Sequence, residues 1–146
     1  MYETIDQAKL ALSNAEKQQN CLKKADISEL KAMSAPPQTV IKVVSAVYKM
    51  FNPEVRTSSI DWKVCKKMLA DPNLLYRLAA TKNVDKNAYD AVVEFTVDPE
   101  LKDVDGIIKN SAAAGSCMQW VHAVMETYRI QRVIEGMEKA TSLEQN

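Results

Sequence analysis

All five prolines of this chain (Pro36, Pro37, Pro53, Pro72 and Pro99) fall in its middle, and residues 1–35 contain neither proline nor glycine. Proline removes a backbone donor and clashes with the preceding helical turn. The distribution therefore leaves two ends free to form long helices and forces the middle into short pieces. At the N-terminal end Met1, Ile5, Ala8, Leu12, Ala15, Gln19 and Leu22 recur with 4-3 spacing among Glu, Lys, Gln, Asn and Asp. Such a seam is too narrow for a broad core and wide enough for one partner helix.

The partner is expected at the other end, as a long helix from about Val104 interrupted only by Gly115 and Gly136. Its apolar stripe splits in two. Val121, Val124 and Tyr128 follow one seam; Ile130, Val133, Met137 and Ala140 follow another, displaced by two residues. Either the upper part packs into a bundle and the lower part is coiled coil, or the register is weakly fixed.

Boundary signals divide the middle. Asp26 with Glu29 three residues on predicts a capping box opening a helix that stops near Ala35, and Pro37 suits the first turn of the next helix. "IDWKVCKKMLA" is an amphipathic helix. "DPNLLYRLAA" opens with Asp71 as cap and Pro72 in the first turn. "NAYDAVVEFT" reads as a short helix, with a strand as the alternative, and "DPELKDVDG" as a turn. The expected fold is all-α: a compact bundle of about six short helices capping a two-stranded antiparallel coiled coil. Its divisions are a first stalk strand at 1–25, a head at 26–118 and a second strand at 119–146.

With 146 residues one domain is expected. The 19 basic and 19 acidic side chains cancel, so no global charge points to nucleic acid. Cys21, Cys65 and Cys117 form no C-x-x-C pair, which predicts a reduced intracellular protein without zinc or disulfides. The N-terminus lacks a signal-peptide pattern and no apolar run reaches the ~18 residues of a membrane span, so neither secretion nor a membrane is expected. No nucleotide-binding glycine motif is present, and the single histidine, His122, has no nucleophile or carboxylate at a useful spacing. Neither an enzyme nor a cofactor is expected.

Lysine placement is more informative. On "IDWKVCKKMLA" Trp62, Cys65 and Leu69 share one face while Lys63, Lys66 and Lys67 crowd the other. Such cations repel one another by roughly a few tenths of a kcal/mol per pair. A second cluster, Lys23, Lys24 and Lys31, precedes the double proline, and Lys109 stands near the start of the last helix. One lysine face is ordinary solvated surface. Three in a neutral chain favour an acidic protein partner.

Three runs in order, "ISELKAMSAPPQTVIKVVSAVYKM", "DWKVCKKMLADPNLLYRL" and "SAAAGSCMQWVHAVMETYRIQRV", resemble the stalk tip of dynein heavy chains: the microtubule-binding domain with stubs of its antiparallel coiled coil. The resemblance covers essentially the whole chain. It implies reversible binding to α/β-tubulin, with Lys23, Lys24 and Lys31 as a first contact group, Lys63, Lys66 and Lys67 as a second, and Lys109 with Asn110 as a third; Gln119 is a further contact position. Asn110 and Gln119 stand where many relatives are basic, and Gly136 where they commonly have proline. The resemblance also implies a switch by sliding of the two stalk helices, with seam positions Ile5, Ala8, Leu12, Ala15 and Leu22 against Val121, Val124, Tyr128, Ile130, Val133 and Met137. The parent would be a motor ATPase in a larger complex, cytoplasmic or axonemal, with its ATP sites outside this chain. The rival expectation is a helical adaptor or coiled-coil hinge that does not touch tubulin.

Overall fold

The structure, a computed structural model, describes residues 2–145; the seam position at Met1 lies outside them. The described residues form α-helices and short 3-10 turns and no strand. Two terminal helices, α1 (Ile5–Gln18) and the long α9 (Ala112–Gln145), flank seven others: α2 (Lys24–Lys31), α3 (Gln38–Phe51), α4 (Trp62–Leu69), α5 (Leu74–Ala80), α6 (Lys86–Thr96), α7 (Pro99–Lys102) and α8 (Val104–Asn110).

α1 begins where Thr4 Oγ1 accepts from Gln7 N at 3.1 Å and Gln7 Oε1 accepts from Thr4 N at 3.3 Å, a reciprocal cap. It runs antiparallel to α9: Lys9 meets Glu138 at 3.9 Å, and Gln19 meets Thr127 at 2.9 Å. Ala8 and Ala15 pack with Ile130 and Ile134, flanked by Leu12 and Met137. Small alanines let two helices approach closely, and isoleucine fills the facing space.

The first strand does not continue to residue 25. α1 gives way to a 3-10 turn at Gln19–Cys21, kinked at Asn20, and Leu22 is extended. Leu22 thereby leaves the seam and packs on the head core with Cys21. The cause is local: the Asp26 carboxylate accepts from Lys23 N at 2.9 Å, so α2 starts at Lys24. Asp26 thus caps from inside the helix, Glu29 is directed elsewhere, and α2 ends at Lys31, before Ala35. Past the two prolines, the Pro37 carbonyl accepts from Val40 N and Ile41 N as α3 opens.

The head core joins α3, α4, α5, α6 and α9 around the fully buried Trp120, whose ring lies 6.4 Å from Phe51. α4 is capped by Asp61 on Val64 N at 2.9 Å and buries Cys65, Met68 and Leu69. α5 starts two residues later than its sequence suggests, because Asp71 caps Asn73 N and Asp71–Pro72–Asn73 close a turn. "NAYDAVVEFT" is helical, within α6, and "DPELKDVDG" holds α7 and the start of α8. Cys21, Cys65 and Cys117 are free, and burial pushes each thiol's pKa up.

The largest correction concerns the C-terminal helix. It is not broken at Gly115 or Gly136, which lie inside α9, but at Ser111, whose backbone is extended at φ −163° and ψ 119°. Ser111 Oγ accepts from Ala114 N at 3.1 Å, so a serine cap separates α8 from α9. The two stripes of α9 serve different partners. Val121 and Val124 belong to the head core, while Ile130 and Ile134 face α1. Tyr128 is no seam residue: it stacks on Tyr89 of α6 at 4.2 Å, with the Arg132 guanidinium 4.8 Å from its ring centre. Val133 is half-buried beside the main contact, and Ile134 takes the position expected of it.

Candidate binding surface

Lys23, Lys24 and Lys31 are exposed on α2 and at its start; Lys63 and Lys67 are exposed and Lys66 half-buried on α4; Lys109 and Asn110 are exposed at the end of α8. α2 lies between the other two. Trp62 Nε1 at the head of α4 donates to Met33 O at 3.0 Å, pinning the corner after α2. Lys24, Ile27 and Lys31 line one side of a groove whose other side is Leu69, Asp71 and Pro72 at the α4–α5 turn. On its other flank α2 reaches the α8–α9 joint, where Glu29 Oε2 accepts from Ser111 Oγ at 2.9 Å and Ala113 N at 3.3 Å.

The charges on this surface are unbalanced by arrangement. None of its seven lysines is in an ion pair among the described residues; elsewhere Lys9, Lys42, Arg77, Lys86, Arg129 and Arg132 are paired, and Lys17, Lys49, Arg56, Lys82, Lys102 and Lys139 are not. Three of the acids on the same elements are occupied: Asp26 holds Lys23 N, Glu29 holds Ser111 and Ala113 N, and Asp61 holds Val64 N, while Asp105 of α8 is exposed. Asp71, at the groove's edge, pairs with Arg77 at 3.1 Å, and the Asn73 amide and then Arg77 hold its carboxyl below the usual range. Lys31, Lys66, Lys67 and Lys109 lie in the last turns of their helices, where the helix dipole favours cations. That placement offsets part of their mutual repulsion.

Gln119 is exposed but shares a helical stripe with His122 and Glu126. His122 Nε2 lies 3.0 Å from Leu101 O of α7, so that stripe faces α7, and Gln119 is not grouped with the lysine clusters. His122 itself ties α7 to α9. Sequence reasoning missed two polar contacts inside the fold. Glu29, taken as a cap on its own helix, bonds a serine 82 residues away, and Gln19, counted as a seam position, is 5% exposed against Thr127.

A family model described as the microtubule-binding stalk of dynein motors matches residues 2–145. The chain is 36% identical over 123 residues, 81% of its length, to the Dynein-1-beta heavy chain of the flagellar inner arm I1 complex of Chlamydomonas reinhardtii. It is 30% identical over 142 residues, 94% of its length, to human Dynein axonemal heavy chain 9. It spans 2% and 3% of these two relatives. Its fold is similar to a solved structure titled the microtubule binding domain of dynein-c, with TM-score 0.64 and 28% identity, covering 90% of this chain and 91% of that one.

Proposed function

The chain belongs to the family of microtubule-binding stalks of dynein motors, and from that membership we propose how it grips its polymer: through one basic surface built from α2, α4 and the end of α8. Lys23, Lys24, Lys31, Lys63, Lys66, Lys67 and Lys109 contact acidic side chains of α- and β-tubulin, with Asn110 at the edge and Gln119 peripheral. The observation that supports this is that α2 lies beside both α4 and the α8–α9 joint, so the unpaired lysines adjoin while Asp26, Glu29 and Asp61 are committed to hydrogen bonds within the fold. Each exposed pair contributes about 0.5–1 kcal/mol and is screened by salt, so several weak contacts give a grip that can be released.

The division we propose takes α1, up to its end at Gln18, and the part of α9 that faces it as the paired stalk, within outer bounds of 1–25 and 119–146, with 26–118 as the head. Release is driven by sliding of α1 against α9, which moves α2 through the Gln19–Leu22 kink. The parent is a motor heavy chain of a larger complex, with its ATPase outside this segment. An axonemal, cytoskeletal location fits the flagellar and axonemal relatives.

Microtubule co-sedimentation at rising salt tests the surface. The double variant Lys66→Ala/Lys67→Ala removes two contacts, about 1–2 kcal/mol, and is expected to bind roughly 5–30-fold more weakly. Unchanged affinity would remove α4 from the surface. Cysteine pairs locking α1 and α9 in the Lys9–Glu138 register, or half a heptad away, are expected to differ in affinity. Equal affinities would reduce the seam to packing.

A further inference from the structure

Glu29 is an acid on α2 between Lys24 and Lys31, in a position that opposes an acidic partner by charge alone. Its carboxylate is nevertheless turned away from the lysines and onto another element. Oε2 accepts from Ser111 Oγ at 2.9 Å and from Ala113 N at 3.3 Å, while Ser111 Oγ accepts in turn from Ala114 N at 3.1 Å. A side chain of α2 thus completes the cap of α9, where unpaired amides and the helix dipole favour an anion. Ser111 is 7% exposed and follows directly after Lys109 and Asn110. The same two bonds that close α9 therefore fix the end of α8 relative to α2.

Resting on the surface reading above, we infer that Glu29 is a positioning residue for microtubule binding: its hydrogen bonds to Ser111 and Ala113 set the spacing between the Lys24–Lys31 cluster and Lys109. Its hydrogen-bonding shape, and not its charge, carries this role. Glutamine preserves an acceptor oxygen at the same place; alanine does not. Both remove the same negative charge from the basic surface.

The experiment compares Glu29→Gln and Glu29→Ala with the wild type in microtubule co-sedimentation across a salt series, with helix content by circular dichroism and amide exchange at Ala113 in the free protein. Glu29→Gln is expected to bind as tightly as wild type, or up to a few-fold tighter. Glu29→Ala is expected to bind at least 5-fold more weakly, with a shallower salt dependence because fewer lysines engage together, and with faster exchange at Ala113. Equal binding by both variants, wild type holding, would overturn the positioning role and leave a charge effect. Loss of helix content in Glu29→Ala would overturn it in favour of a general structural role. A wild type that does not bind microtubules would overturn the surface reading and this inference together, and is told apart by the wild-type arm alone.

Discussion

Replacing Gln19 by leucine is expected to stabilise the protein, although it deletes a well-formed hydrogen bond. Gln19 Nε2 donates to Thr127 Oγ1 at 2.9 Å, and the Thr127 hydroxyl donates onward to Ala123 O at 2.8 Å. Both side chains are buried, at 5% and 2% exposure, and Gln19 Oε1 has no partner. A net hydrogen bond contributes about 0.5–1.5 kcal/mol, whereas an unpaired buried polar group costs about 1–3 kcal/mol. Gln19→Leu removes the bond and the orphan together and leaves Thr127 with Ala123 O, for a gain of about 1 kcal/mol. Thr127→Val removes the same bond from the other side and strands the whole amide, for a loss of about 1–2 kcal/mol. The two variants then differ by roughly 2–3 kcal/mol, or about 5–10 °C in midpoint, in thermal and urea denaturation. Equal losses of about 1 kcal/mol from both would refute the reasoning and value the bond for itself.

A Cβ on Gly136 meets nothing within 4 Å, and the glycine lies inside α9. Gly136→Ala is therefore expected to raise stability by about 0.5–1 kcal/mol in urea titration. At Gly115 a Cβ would collide with Ile108 Cγ1 and stand 3.4 Å from its Cα, so α8 packs there only because the side chain is absent. Gly115→Ala is expected to cost about 1–3 kcal/mol, and adding Ile108→Ala to recover part of it; a double variant no better than the single would locate the cost elsewhere. The Glu100 amide, and then Lys42, hold the Asp98 carboxyl below its ordinary pKa. Its stabilising contribution is present above the unfolded-state value near pH 4 and is lost as pH falls through the lowered one. Asp98→Asn is expected to be less stable than wild type at neutral pH and to converge with it in acid, as urea midpoints across pH 2–7 would show.

What was legible in the sequence was whatever depends on near neighbours along the chain. The face of α4 followed from the spacing of Trp62, Cys65 and Leu69 against three lysines, whereas its cap by Asp61 came with the structure. The lysine clusters stood out because they crowd one side of a short helix. The break at Ser111 was hidden because the partner that completes its cap, Glu29, lies 82 residues away in sequence. Gly115 and Gly136 drew attention as breakers, yet one is needed for close packing and the other merely lacks contacts. Tyr128 has seam spacing, but the rotation of α9 where it meets α6 gives it to Tyr89.

By itself the sequence determined an all-helical chain with proline-free ends, a broken middle, and lysines gathered in clusters on short helices, because helix period, proline geometry and capping act within a few residues. Only the tertiary structure decided which stripe of α9 meets α1 and which meets the head, that Lys9 faces Glu138 and Gln19 faces Thr127, and that Glu29 joins α2 to the start of α9. Those outcomes depend on burying side chains between segments far apart in the chain. A seam with the right spacing accepts more than one partner, and the buried surfaces, alanine against isoleucine and tyrosine against tyrosine, select the register seen here.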